Sequence, residues 1–187
     1  MANARKPTQF RRRALTAIAP IAIIGSLALT PAAADANATC KGADANPGST
    51  NLKLVRHATL CLLNKQRAKH GMHKLKDNPR LSLASQRHAK DMVNRGYFEH
   101  GNFVGRIRAT RYLAGTQVWT VGENIAWGAG DLSTPAEIVN AWMHSPPHRH
   151  NILSSKFREI GIGVARGVPV RSSYKGATYA TDFGARG

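Results

Sequence analysis

Acidic residues are scarce in this sequence: ten Asp and Glu stand against 27 Lys and Arg in 187 residues. The chain therefore projects a positive field and is matched to anionic surroundings. Cysteine is limited to Cys40 and Cys61, and no Cys-x-x-Cys occurs. That argues against a redox-active thiol pair, since nothing local would lower a thiol pKa. Apolar runs are short as well. The stretch at 14–29 is broken by Thr16, Pro20, Gly25 and Ser26, and it falls below the roughly 20 residues a membrane-spanning helix needs. No Gly-x-Ser-x-Gly elbow is present for a hydrolase. His144 and His148 have the outer spacing of a zinc-protease helix. However, Ser145 stands where that motif needs Glu, and Pro146 and Pro147 interrupt it. There is no internal repeat.

The N-terminus has the three-part layout of a secretory signal. Arg5, Lys6, Arg11, Arg12 and Arg13 precede the apolar run, and the small-residue stretch 30–38 follows it. Cleavage fits after Ala34 or after Ala38, and Ala38 is preferred. The arginine run loosely resembles a twin-arginine export signal but lacks its next basic residue, so ordinary secretion is expected. No Leu stands three places before Cys40, which disfavours a lipid-anchored cysteine. With residues 1–38 set aside, the five basic residues and one acid of the leader are lost. The remaining 149 residues carry a net charge of +13. That length suits one domain, spanning 51–187 behind an N-terminal arm at 39–50.

An even pair of cysteines outside the cytoplasm reads as a disulfide. A Cys40–Cys61 bond would close a loop of about 20 residues, for about 3 kcal/mol of stabilisation in the chain-entropy model. It would tie an otherwise loose arm to the first helix.

Helical spacing of Leu52, Val55, Leu62 and Leu63, with Thr59 between them, predicts a helix over 51–70 that ends at Gly71. A second helix starts with Asn78 as cap and Pro79 in the first turn, carries Leu81, Ala84, His88 and Met92 on one stripe, and stops at Gly96. His88 on that stripe reads as a core histidine satisfied by backbone. A short helix is expected at 104–113 and an extended segment at 121–128. Thr134-Pro135-Ala136-Glu137 reads as a capping box opening a helix with Ile138, Ala141 and Trp142 inward. Pro146-Pro147 ends it, and one more turn is expected over 148–153. The alternating segments 159–165 and 177–183 predict an antiparallel hairpin joined through 167–176. Helices packed on a small antiparallel sheet make the fold α+β.

Four words in this order carry a resemblance: Tyr97-Phe98-Glu99-His100, Gly-Glu-Asn-Ile-Ala at 122–126, Ala-Trp-Met-His-Ser-Pro-Pro-His-Arg-His-Asn-Ile-Leu at 141–153, and Ile-Gly-Ile-Gly-Val-Ala at 160–165, with a closing Asp182-Phe183-Gly184. Over 51–184 the chain resembles the CAP superfamily (cysteine-rich secretory proteins, antigen 5 and pathogenesis-related proteins, the SCP domain), in its bacterial secreted branch. The resemblance implies an α-β-α sandwich with a cleft of two histidines and two acids. By motif position these are His100, Glu123 and His148, and the second acid is replaced by Ser145. The bacterial branch commonly shows this Trp-x-x-Ser form, here Trp142 to Ser145.

Two imidazoles and a carboxylate could hold a divalent ion with an open position. Zinc suits His100, Glu123 and His148 better than calcium, which takes six to eight oxygens. A hydrogen-bond and charge network that orders the cleft is the preferred reading, and no catalytic residue is assigned. Arg149 is expected to pair with an acid or cap carbonyls, and Asn151 to fix a loop by side-chain-to-backbone bonds; Trp119 and Trp127 flank the Gly-Glu-Asn word and either line the cleft or, as the default, pack in the core. The basic residues run from Lys41 to Arg186 without a dense cluster or a nucleic-acid motif, so no specific nucleic acid is expected. The expectation is a monomeric, extracellular, non-enzymatic binding module for an unidentified ligand, such as a lipid or an anionic cell-wall polymer. The alternatives are a metal-assisted hydrolase or protease using His100, Glu123 and His148, and a wall protein held by charge.

Overall fold

A computed structural model describes residues 39–170 and 174–187. The leader expected at 1–38 lies outside the described residues. Five helices and a four-stranded mixed sheet follow in the order α1 (Leu52–Lys69), β1 (Lys76–Asp77), α2 (Pro79–Arg95), α3 (Phe103–Ala109), β2 (Trp119–Ala129), α4 (Pro135–His144), α5 (Pro146–Leu153), β3 (Glu159–Arg166) and β4 (Gly176–Arg186). The strand order is β1-β3-β4-β2. β4 pairs antiparallel with both neighbours, and β1 pairs parallel with β3. The hairpin expected at the tail is therefore the centre of the sheet.

Period-two alternation sorts β3 between two helical layers. Ile160, Ile162 and Val164 point toward α1, α4 and α5, where they join Val55, Leu63, Ile138, Trp142, Ile152, Tyr179 and Phe183. Gly161 and Gly163 point the other way, and there α2 lies directly on the strand. A methyl group on Gly161 would sit 2.0 Å from the Leu81 carbonyl carbon, and one on Gly163 would sit 2.2 Å from that of Ser85. Both distances fall far inside van der Waals contact. Glycine is thus required by the close approach of helix backbone to sheet backbone. The result is the three-layer α-β-α sandwich.

The helix ends follow the cap chemistry. Asn78 Oδ1 accepts from the Arg80 and Leu81 amides, and Gly96 closes α2 at φ 68°. The capping box at Thr134 forms by half: its hydroxyl accepts from the Glu137 amide, but its own amide goes to Asp131 O. α3 is shorter than expected because the turn after Thr110 puts Arg111 at φ 63°, which no helix accommodates. Pro146 and Pro147 open α5 as well as following α4. Proline lacks only a donor that a first turn leaves unpaired anyway, so the expected single turn becomes an eight-residue helix. β1 falls within a stretch expected to be a plain connection, since two residues leave no periodic signal.

The arm is better anchored than a loose leader segment. Cys40 and Cys61 are joined. In addition, Arg166 donates to Pro47 O and Thr50 O, and Ala43 O accepts from the Ala136 amide. The disulfide thus works beside contacts from β3 and α4. Trp119 and Trp127 are exposed at 36% and 40%, not packed in the core, because both fall on β2, the edge strand.

Candidate functional site

Glu123 sits on β2 inside an otherwise apolar run, and its side chain is buried. A buried carboxylate needs compensating donors. His100 Nδ1 lies 2.8 Å from Oε1, and Arg106 NH2 donates to Oε2 at 2.6 Å. An ionised carboxylate only accepts, so His100 carries its proton on Nδ1. Its ring is half exposed, with Nε2 left for the outside. Arg106 also donates to His100 O at 2.8 Å, so one guanidinium locks the loop after α2 onto the strand.

On the helix side, His88 is buried on α2, with Nε2 3.0 Å from Glu99 O and 3.8 Å from Glu123 Oε2. Burial holds it below the ordinary histidine range, against the pull of Glu123. The expected backbone-satisfied core histidine is present at Nε2, while Nδ1 has no partner. His148, on α5, is also pushed down, by burial first and then by the charge of His100. That influence places the two imidazoles in one electrostatic neighbourhood. The Ser145 hydroxyl makes no capping bond and hydrogen-bonds to neither histidine.

Two asparagines fasten α5 to β2. Asn124 Nδ2 donates to His148 O at 3.1 Å, and Asn151 Nδ2 reaches Glu123 O at 3.1 Å and Asn124 Oδ1 at 2.9 Å. Gly122 makes room: a methyl group there would meet Phe157 at 2.9 Å and Asn151 Oδ1 at 3.2 Å. Asn151 thus does the backbone bonding expected of it. Among the described residues Arg149 neither pairs with an acid nor caps carbonyls. Its NH2 faces His70 Nε2 at 3.1 Å, because α5 lays it against the end of α1.

Arg106 and Ser85 carry no signal in the sequence, and Asp182 stands there only as part of the closing Asp182-Phe183-Gly184, with no site role. Arg106 follows His100 by six residues on a different element and leaves no pattern. Ser85 and Asp182 form a second buried layer: Asp182, cross-strand from Glu123, accepts from Ser85 Oγ at 2.8 Å. Burial, then the neighbouring charge of Glu123, raises Asp182 to about 8. A readable signal existed, since Asp182 and Glu123 are both acids inside apolar strand runs.

The donor set does not fit the zinc ion considered from the sequence. Arg106 engages one oxygen of Glu123 and His100 the other, so the carboxylate is committed to protein partners on both oxygens. Among the described residues, no three His, Cys, Asp or Glu side chains form a group that could hold a metal ion. The arrangement is instead a closed charge network with one exposed imidazole edge.

Residues 60–179 match the family model described as CAP, cysteine-rich secretory protein family. An uncharacterized Bacillus subtilis protein, YkwD, is 34% identical over 134 residues, which cover 71% of this chain and 49% of that protein. The chain therefore spans about half of this curated relative. A solved extracellular protein of Bacillus anthracis containing an SCP domain is similar at TM-score 0.52 and 26% identity, over 70% of this chain and 39% of that one. An outer surface protein of Borrelia burgdorferi shares the fold at TM-score 0.58 and 19% identity, over 74% and 97% of the two chains. Among the described residues no helix is long and apolar enough to cross a membrane. With the family model matching well over half of the sequence, the chain belongs to the CAP family of cysteine-rich secretory proteins.

Proposed function

We propose that this CAP domain is a secreted, non-enzymatic binding module, with the surface around His100, Glu123, Ser145 and His148 as its recognition site. One observation carries the reading. Both oxygens of Glu123 are engaged by His100 and Arg106, and among the described residues no hydroxyl or thiol is hydrogen-bonded to His100 or His148. Nucleophilic catalysis needs an activated attacking group within reach of a base. Recognition needs only fixed polar groups. The outer nitrogen of His100, the ring of His148 and the Ser145 hydroxyl offer such groups to a polar ligand headgroup. Extracellular placement is supported by the leader-like N-terminus and the disulfide.

The test incubates the purified domain with lipid vesicles and cell-wall fragments, with His100→Ala and His148→Ala beside it. The reading expects retention that drops about tenfold or more in both variants. Retention of nothing would sink it. Hydrolysis of a peptide or ester substrate that needs added zinc and is lost in His148→Ala would replace it with a metal-assisted hydrolase.

A further inference from the structure

We infer a second binding surface, at the end of the sheet where β1 and β3 begin and β4 ends, built to hold a phosphodiester-linked polyol chain. This inference does not depend on the His100 site and shares no residue with it.

The sheet register brings Lys76 beside Glu159, and Glu159 beside Gly184, two residues from Arg186. An open groove of about 670 Å³ runs there, lined by His73, Lys74, Lys76, Arg158, Glu159 and Arg186. Four fixed cations thus surround a single acid. That acid is spoken for: Glu159 accepts from Asn78 Nδ2 at 2.8 Å and from the Tyr112 hydroxyl at 2.7 Å, with Arg186 Nε 3.7 Å away. Arg186 lies over the Tyr112 ring at 4.8 Å and donates to Tyr112 O, so its position is fixed. The Arg158 guanidinium donates to the carbonyls of Ser155 and Phe157 and, among the described residues, to no acid. No carboxylate neutralises Lys74, Lys76 or Arg158 among the described residues.

The rim is preorganised from beneath. Asn64 grips Leu75 at both backbone groups, at 2.7 and 3.1 Å. Arg67, fully buried in α1, donates to His73 O at 2.7 Å and to Ile152 O and Ser154 O. With Leu75 turned inward, Lys74 and Lys76 both remain exposed on either side of it. A buried guanidinium with no acid partner is costly. Here it is spent holding the segment that carries the basic side chains.

The chemistry selects among anionic partners. Single-stranded nucleic acid is held by a run of aromatic faces that stack successive bases, and among the described residues no Phe, Tyr or Trp lines this groove, where the imidazole of His73 is the lone aromatic ring. A bilayer surface needs apolar side chains to enter it, and Ala185 is the groove's only apolar lining residue. Phosphates at regular intervals on a base-free backbone need what is present, which is point charges along a channel.

The experiment measures binding of poly(glycerol phosphate) to the full domain across a salt series. Comparison ligands are a single-stranded oligonucleotide of equal charge and vesicles containing phosphatidylglycerol. Neutralising four phosphates predicts a log–log salt slope of about −2.8, at about −0.7 per contact on a single chain. Lys74→Gln/Lys76→Gln/Arg158→Gln should flatten the slope to about −0.7 and weaken binding at least tenfold at low salt. A control triple, Lys53→Gln/Arg87→Gln/Lys90→Gln, removes equal charge from exposed positions elsewhere and should change affinity less than twofold. Equal loss in the two triples would overturn the groove in favour of diffuse charge. Tighter binding of the oligonucleotide or the vesicles would overturn the choice of partner. Unaltered thermal melting of both triples shows that neither result comes from unfolding.

Discussion

Asp182 offers a direct test of the buried acid layer. It is fully buried, lies cross-strand from Glu123, and its Oδ1 has no partner while Oδ2 accepts from Ser85. Burial first, and the charge of Glu123 second, raise it from 3.8 to about 8. The folded protein therefore keeps a proton here that the unfolded chain has lost by neutral pH. A proton on the unpartnered Oδ1 spares the buried pair a second negative charge beside Glu123. Between pH 4 and pH 8 the native state binds one more proton than the unfolded state, so this group's contribution to stability falls as pH rises. The limiting slope is about 1.4 kcal/mol per pH unit, and the full excursion is on the order of 5 kcal/mol. Asp182→Asn copies the protonated acid: its oxygen can accept from Ser85 and its amide can donate toward Glu123. The variant should exceed the wild type by about 2 kcal/mol at pH 5 and by about 5 kcal/mol at pH 8. His88, pushed down by burial, titrates with the opposite sign, but it is common to both proteins and cancels in their difference. Urea unfolding at pH 5, 6, 7 and 8 measures the gap. A gap that stays constant across that range would refute a protonated Asp182.

Other perturbations read different parts of the structure. Gly161→Ala or Gly163→Ala drives a methyl group into α2 backbone that no side-chain rotation can clear, so each should cost at least about 3 kcal/mol and lower the melting temperature by roughly 6–12 °C. Arg67→Met keeps the stem but strands the carbonyls of His73, Ile152 and Ser154, for a loss of about 2–4 kcal/mol in denaturant unfolding. Reducing Cys40–Cys61 should cost about 3 kcal/mol and expose the arm to protease before the rest of the domain. Because Arg166 and Ala136 still hold the arm, that cleavage should be slower when Arg166 is intact than in Arg166→Ala.

What the sequence made legible is what repeats or caps. The stripe of α2, its Asn78 start and Gly96 stop, and the alternation of β3 and β4 each depend on neighbours close in the chain, so local rules find them. The residues that went unread depend on distant partners. Arg106 matters because α3 aims it at Glu123, and Arg67 looks like any basic residue in the last turn of a helix until α5 brings carbonyls to it. Tryptophan usually packs inside, but Trp119 and Trp127 lie on an edge strand, which no local pattern in the sequence marks. β1 is two residues long and exists only because β3 pairs with it.

The four words that identified the family turn out to be one contact set. Gly-Glu-Asn supplies the strand position where Gly122 admits Asn151, Asn124 takes the carbonyl of His148, and Glu123 takes His100. Ile-Gly-Ile-Gly supplies the flat strand on which α2 carries His88 and Ser85 to the same acids. Each word is thus the half of an interface that another word completes. These constraints would hold whether or not the site performs chemistry, since every one of them secures a layer of the sandwich. Ser145, the position where the resemblance implies a second acid, stands outside that set. A serine there, whose hydroxyl caps nothing, leaves the three layers and their fastenings intact. A position that can change without loosening the framework is where variation in ligand should enter, and Ser145→Glu is accordingly expected to alter what the domain retains while leaving its melting temperature within a few degrees.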